Sequence, residues 1–310
     1  MNNISFFIPA FNCEKTLLES AESIFEGNFE LGDELIIVND YSTDSTKQVL
    51  EQIKIKYPQS KIIEHLRNKG GGAARNTAVE NAQNNLLFCL DSDNILAQGS
   101  VKKLKEFLIE HKVDAASFEE LRYFRNDKNK VEKKWSFKNG FYTLADQLSV
   151  HINPSASGNY LFTKQSWEKA GGYPEFAGAL DAWGFGLRQL ATGAKMAVLP
   201  DSHYFHRFGH QSYWVRDAKN NMSVKALQIL LPFMDFLTEE SQDYIFSKEG
   251  RFNWFDQLEQ RPIRLKNVMI IGLDSGNQPQ IPSKLLKNIT PPILYRVINI
   301  LFYKLKNILK

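Results

Sequence analysis

Leu86-Leu87-Phe88-Cys89-Leu90-Asp91-Ser92-Asp93-Asn94 is an apolar run that ends abruptly in two carboxylates. Five apolar residues followed by turn-forming polar ones read as a buried strand whose carboxyl end carries the chemistry. Working back from this strand, residues 61–66, 35–38 and 4–8 are three more short β-rich runs. Between them lie helical patterns over residues 14–26, 42–56 and 72–83, the first with apolar Leu17, Leu18, Ala21, Ile24 and Phe25 at helical spacing. Ser42-Thr43-Asp44-Ser45 supplies cap residues for the second helix. Strands that alternate with helices in this rhythm require right-handed crossovers, so the fold class is α/β, a mostly parallel, Rossmann-like central sheet flanked by helices. Ligands of such sheets sit beyond the carboxyl ends of the strands, which singles out Asn12, Asp40, Asn68 and Asp91.

Asp91 and Asp93 stand two residues apart at a strand end, a spacing that lets two carboxylates share Mg²⁺ or Mn²⁺ and leave positions open for phosphate. The same residues also suit a turn closed by local hydrogen bonds. Asp40 ends the second strand, where a carboxylate can accept from a ribose hydroxyl or a base N–H, or else cap the next helix. In Asn68-Lys69-Gly70-Gly71-Gly72-Ala73-Ala74-Arg75-Asn76, three glycines lead into a helix. They allow close backbone approach to an anion, and Arg75 can reach a diphosphate; the alternative is a flexible loop with a solvated arginine. The segment is neither a Walker loop, which needs Gly-Lys-Ser/Thr, nor a Rossmann fingerprint, whose glycines follow the first strand.

Together, in order and spacing, these segments resemble glycosyltransferase family 2, with its GT-A fold. Phe7-Ile8-Pro9-Ala10-Phe11-Asn12 is similar to the family's opening strand and donor turn, and residues 36–46 to its second strand. Asn68–Asn76 resembles its Asn-x-Gly-x-x-x-Ala-Arg-Asn segment, and residues 90–94 its Asp-x-Asp motif. The resemblance implies that Pro9, Ala10, Asn12, Asp40, Asn68, Gly72, Arg75, Asp91 and Ser92 bind a nucleoside-diphosphate sugar, a UDP-sugar in the first instance. It implies Mn²⁺ or Mg²⁺ as cofactor on Asp91 and Asp93. Residues 158–174 resemble the segment near the acceptor. The family's Glu-Asp pair then falls on Leu180-Asp181, so the first acid is missing, while Asp181 remains as the general base that an inverting transfer needs. Asp181 also suits the N-cap of its own helix. Among His203, His206 and His210, in a segment expected to be a loop, His206 followed by Arg207 best fits the family's metal or diphosphate contact. Trp167, Trp183, Phe185 and Tyr213 offer either a sugar-stacking wall or core packing. The implied function is inverting transfer of a sugar to a glycan or lipid-linked acceptor in surface polysaccharide or glycoconjugate synthesis. Two alternatives stay open: a sugar-phosphate nucleotidyltransferase, which the Pro9–Asn12 turn argues against, and a non-catalytic sugar-nucleotide-binding relic of the fold.

Further along, strands are expected over residues 113–118, 158–163 and 195–199, helices over 164–170 and 181–192, and a charged hairpin tip over 125–134. The expected units are a catalytic domain over residues 1–215, a helical extension over 216–290 and an amphipathic basic helix over 291–310. The 310 residues carry 38 basic and 35 acidic side chains, and the split is uneven. From Ser275 onward there are six basic residues and no acid, leaving 32 basic against 35 acidic elsewhere. A basic helix with an aliphatic face, residues 293–309, suits a membrane interface, so the expected location is peripheral at the cytoplasmic face of a membrane. Positive charge confined to a tail argues against nucleic acid as a partner. Two cysteines, Cys13 and Cys89, suit a reducing compartment and exclude a four-cysteine zinc site. The amino-terminal residues lack the basic start of a signal peptide, and no uncharged run is long enough to span a bilayer as a helix.

Overall fold

In a computed structural model, residues 2–266 are described, apart from 150–152, 210–211, 218–221, 248–253 and 259. The basic helix placed at residues 291–310, and His210, lie outside the described residues.

The strands are β1 (Ile4–Ala10), β2 (Glu34–Asn39), β3 (Lys61–Glu64), β4 (Leu86–Cys89), β5 (Ile95–Leu96), β6 (Ala115–Phe124), β7 (Lys133–Ser136), β8 (Gly140–Tyr142), β9 (Tyr160–Thr163) and β10 (Met196–Arg207). The helices are α1 (Leu17–Phe25), α2 (Thr46–Lys56), α3 (Gly71–Glu80), α4 (Ser100–His111), α5 (Leu144–Ser149), α6 (Lys164–Ala170), α7 (Asp181–Ala191), α8 (Tyr213–Asp217), α9 (Met222–Leu230) and α10 (Glu239–Phe246). A single sheet runs β3-β2-β1-β4-β9-β6-β10-β5, with β7 on β6 and β8 on β10. Its long strands pair in parallel, β1 with β2 and β6 with β10, while β9 runs antiparallel between β4 and β6. This is the expected α/β architecture, a mostly parallel sheet covered by helices. β1 lies between two parallel partners, so Ile4, Phe6, Phe7 and Ile8 are buried on both faces. Phe25 at the end of α1 stacks on Tyr57 after α2, with ring centroids 3.8 Å apart, which locks the first two helices together.

Two expectations need correction. The strand foreseen at residues 113–118 continues to Phe124, where β6 and β7 form the antiparallel hairpin around the charged tip. The segment taken as a histidine loop is the distal half of β10, which shifts register against β6 between Leu199 and His203. Three consecutive turn-prone residues, Pro200, Asp201 and Ser202, hid this strand, and the register shift accommodates them. Of the expected cap residues before α2, Asp44 is the one that accepts from the Thr46 N–H, at 3.0 Å.

The helical segments after β10 share one hydrophobic core with the sheet, including Leu227, Leu230, Phe233, Leu237 and Trp254. The Trp183 and Phe255 rings meet at 5.2 Å, joining α7 to this extension. Both cysteines are free and buried, and burial pushes their thiols up, to about 11 for Cys13 and about 12 for Cys89. Among the described residues no helix is long and apolar enough to cross a membrane.

Candidate active site

The carboxyl ends of β1 and β2 are tied to each other before any ligand is considered. Pro9 and Ala10 are the last residues of β1, and the Ala10 carbonyl accepts from the Asp40 N–H at 2.8 Å. Asn12 turns the chain with φ +50°, a conformation asparagine tolerates better than most residues. Its N–H donates to Ser42 Oγ at 3.0 Å, and its Oδ1 accepts from the Thr43 N–H at 2.8 Å. Asp40 is buried, and its carboxylate accepts from the N–H groups of Lys69 and Gly70 at 2.8 and 2.7 Å. His65 Nδ1 lies 2.7 Å from the same carboxylate, and its Nε2 lies 3.0 Å from Thr77 Oγ1. Asn68 donates to the Asp40 carbonyl at 3.1 Å. Asp40 therefore anchors the Asn68–Gly70 loop. His65 was invisible as a participant because nothing in the sequence distinguishes a strand-end histidine from a surface one.

Arg75 does not lie open in the cleft. It is 7% exposed, and its guanidinium donates to Asp181 Oδ2 and to Asp91 Oδ1, both at 2.7 Å. One arginine thus joins the carboxylate of the Asp-x-Asp segment to the candidate base. The glycines preceding it are explained by this bridge. A Cβ on Gly71 would stand 2.7 Å from the Arg75 guanidinium and 2.9 Å from Asp181 Oδ2, and one on Gly72 would stand 3.1 Å from the Pro174 carbonyl. Only glycine lets the start of α3 come this close. Asp181 opens α7 and is 2% exposed. Burial raises its carboxyl from 3.8 to about 6, against the opposing pull of Arg75. Leu180 beside it is buried in the core, which accounts for an apolar residue where an acid was expected.

Asp91 is oriented from three sides. Asn159 accepts from its N–H at 2.7 Å and donates to its Oδ2 at 2.9 Å, while Arg75 holds Oδ1. Asn94 lies 3.5 Å from the same Oδ2. Asn159 was not singled out from sequence, although it lies inside the quoted acceptor segment. Asn76, last residue of the glycine-rich motif, is also structural: it donates to the Tyr173 carbonyl and accepts from the Tyr173 N–H and the Trp167 indole at 3.0, 2.8 and 3.2 Å. Ser92 and Asp93 are half-buried on the turn, and the Ser92 carbonyl accepts from Thr16 Oγ1 at 2.8 Å.

β10 delivers His206 to the same region. Arg207, the next residue, donates from its backbone N–H to Asn94 Oδ1 and from its Nε to the Asp93 carbonyl, both at 3.1 Å. His203 points to the other face of the strand, where its Nε2 meets Arg122 at 3.1 Å. Among the described residues no three His, Cys, Asp or Glu side chains gather around a common metal position. Asp91 and Asp93, two residues apart on one turn, form a sparse, oxygen-only donor pair. That composition fits Mn²⁺ or Mg²⁺ taking most of its ligands from a diphosphate and water, and does not fit a closed structural site. The aromatic wall divides. Trp183 and Phe185 are core residues, Trp183 donating to the Gln147 carbonyl at 2.9 Å, and Trp167 is held by Asn76. Tyr213 alone lies against the site, its ring edge 3.2 Å from where a Gly71 Cβ would be.

A strand-end Asp-x-Asp facing an arginine-bridged helix-start aspartate, on a sheet of this order, defines a class of nucleotide-sugar transferase folds. The chain belongs to glycosyltransferase family 2, whose profile, Glycosyl transferase family 2, matches residues 5–169. It is similar to the poly(ribitol-phosphate) beta-glucosyltransferase of Bacillus spizizenii, 34% identical over 113 residues, which are 36% of this chain and 18% of that protein. It is also similar to Escherichia coli chondroitin synthase, 36% identical over 100 residues, 32% of this chain and 14% of that one. The aligned part therefore spans less than a quarter of either relative. Among solved structures, Staphylococcus aureus TarS 1–349 in complex with UDP-GlcNAc superposes with a TM-score of 0.59 at 20% identity, covering 84% of this chain and 77% of that one. The Pyrobaculum calidifontis mannosyltransferase PcManGT, in complex with GDP-Man and Mn²⁺, gives 0.53 at 18% identity, covering 74% and 61%. These two likenesses establish the GT-A fold.

Proposed function

We propose that this protein is a metal-dependent, inverting hexosyltransferase that moves a sugar from a UDP-sugar to a hydroxyl of a glycan or lipid-linked acceptor in surface-polymer synthesis. The observation that carries the reading is the single guanidinium shared by Asp91 and Asp181, which sets a donor-side carboxylate and a buried base around one space. The β1 turn through Asn12, with Asp40 and the Asn68–Gly72 loop, would hold the nucleoside. Asp91, fixed by Arg75 and Asn159, would orient the donor sugar. Bound at Asp93, with Asp91 and His206 beside it, Mn²⁺ or Mg²⁺ would offset the negative charge that grows on the departing diphosphate. Asp181 would take the proton of the acceptor hydroxyl as its oxygen bonds to the anomeric carbon. The bond from that carbon to the diphosphate breaks on the opposite face, and its electron pair leaves with UDP.

The names of the similar proteins support this reading: TarS is solved with UDP-GlcNAc and the Bacillus enzyme is named for a poly(ribitol-phosphate) acceptor. In the same reading residues 1–215 are the catalytic unit, 216–290 a helical extension and 291–310 a basic helix that holds the enzyme at a membrane surface. The direct test is thermal unfolding with a panel of nucleotide sugars, with and without Mn²⁺. One UDP-sugar should raise the midpoint only when the metal is present. Stabilisation by a nucleoside triphosphate and a sugar phosphate instead would favour a nucleotidyltransferase and remove the proposal.

A further inference from the structure

The chain after β10 reaches back to the turn that carries the candidate base. α8 is short and exposed at Trp214, Val215 and Arg216, but its last residue, Asp217, is buried at 7% exposure. Asp217 Oδ2 accepts from the Ala179 N–H at 2.8 Å, and its Oδ1 pairs with the Lys225 ammonium of α9. Each oxygen is thus engaged, one by the turn before α7 and one by a second helix of the extension. A buried carboxylate occupied in this way holds its partners in place.

The turn that Asp217 grips sets the place of Asp181. Gly178 bends the chain with φ +60° and ψ −134°, a conformation open in practice to glycine, and its carbonyl accepts from the Asp181 N–H. A Cβ on Gly178 would collide with the Asp217 carboxylate and the Lys225 ammonium, so glycine here lets the ion pair sit directly on the turn. Ala179 and Leu180 have no polar side chain, and Leu180 is turned into the core. The polar anchor of the turn therefore comes from a residue 38 positions later. At the other end, the Asp181 carboxylate meets Arg75 at 2.7 Å. One anchor acts on the backbone that presents the candidate base, and the other acts on its side chain.

We infer that Asp217, braced by Lys225, is a positioning residue for sugar transfer: it fixes the turn over residues 178–180 and so sets where the Asp181 carboxylate stands toward the acceptor hydroxyl. This rests on the reading of Asp181 as the base. It also gives the helices after β10 a part in the reaction, since the residue that steadies the base and the lysine that steadies that residue both lie beyond residue 215.

The test is a double-mutant cycle on the full chain. Turnover and donor KM are measured with UDP-glucose or UDP-GlcNAc, whichever stabilises the protein, and a verified acceptor. Asp217→Ala should lower kcat about tenfold or more, because even a small shift of the base spoils the attack geometry, while donor KM changes by less than about twofold. In the Asp181→Asn background the same substitution should cost nothing further, since a residue that acts through a base has no effect once the base is gone. Asp217→Asn, whose amide oxygen still accepts from the Ala179 N–H, should return kcat to within about threefold of the wild type. If Asp217→Ala does not fold, Lys225→Gln takes its place in the cycle: it removes the brace, and should lower kcat partway with the same dependence on Asp181. An equal loss in both backgrounds overturns the inference, because the damage then does not pass through the base. So does unchanged turnover, or a raised donor KM with kcat intact, which would make Asp217 part of the donor site. Near-normal turnover in Asp181→Asn alone would remove the base reading, and this inference with it, a result visible without any Asp217 variant.

Discussion

Removing the Arg75 side chain would leave two carboxylates, one of them fully enclosed, with nothing opposite them. Breaking a buried pair of this kind typically costs about 3 kcal/mol or more, so Arg75→Ala should show a clear loss in chemical denaturation. Asp181 gives a second, independent forecast. A carboxyl raised to about 6 is protonated below that pH and is a base only above it, so transfer should rise with pH through about 6. The sign for stability is the reverse. Folding holds a proton that the unfolded chain would release between pH 3.8 and about 6, so this group's contribution weakens as pH rises through that window. In Arg75→Ala the pull that opposes burial is gone, and the rising limb of the rate profile should move to higher pH. Asp181→Asn keeps the shape without the basicity; turnover should fall by about a hundredfold or more with donor affinity retained. Near-normal turnover in that variant, assayed with a verified acceptor, would take the base role away from Asp181. Each of these residues was named from the sequence for its type and place in a motif. Their meeting was not legible, because the bridge spans 106 positions on one side and 16 on the other. Asn159 escaped notice for a related reason: its value lies in a partner 68 residues away.

At the level of elements, the alternating first third could be read almost strand by strand, since each buried run and each helical stripe carries its own period. The second half resisted because β7, β8 and β9 are short and pair antiparallel, and because the long strand β10 shifts register against β6. β9 shows how such an element earns its place. Gly158 leads into it with φ +77°, and a Cβ there would stand 3.1 Å from Asp91 Oδ2. Gly158→Ala should therefore do two things at once. It should cost about 1–2 kcal/mol for the left-handed backbone, and it should push directly on the Asp91 carboxylate. The measurement is a paired one, denaturation midpoint and donor affinity. Loss of stability with donor affinity intact would mean that the start of β9 supports the sheet and leaves the donor site alone. β10 was misjudged for a different physical reason: its turn-prone residues argue locally for a loop, while pairing with β6 on one side and β5 on the other overrides them.

For the molecule as a whole, the described helices after β10 are bound into the same core as the sheet, so the sheet and these helices should unfold together rather than in two steps. The basic end of the chain is a separate matter. Removing residues 290–310 should abolish binding to anionic vesicles while leaving transfer to a soluble acceptor unchanged, and in the intact protein that binding should weaken with salt. A truncated protein that aggregates, beside an intact one that ignores vesicles, would show that the segment completes the fold. The Arg75 bridge has one more implication. In the proposed reading the same cation serves the carboxylate on the donor side and the one on the acceptor side, so occupancy of either half changes the conditions met by the other. Thermodynamics then requires the influence to be mutual: whatever factor the sugar nucleotide imposes on acceptor affinity, the acceptor must impose on the nucleotide. Two titrations, each repeated with the second ligand saturating, should return one and the same ratio, and Arg75→Lys, which cannot span both partners as a rigid fork, should bring that ratio toward one.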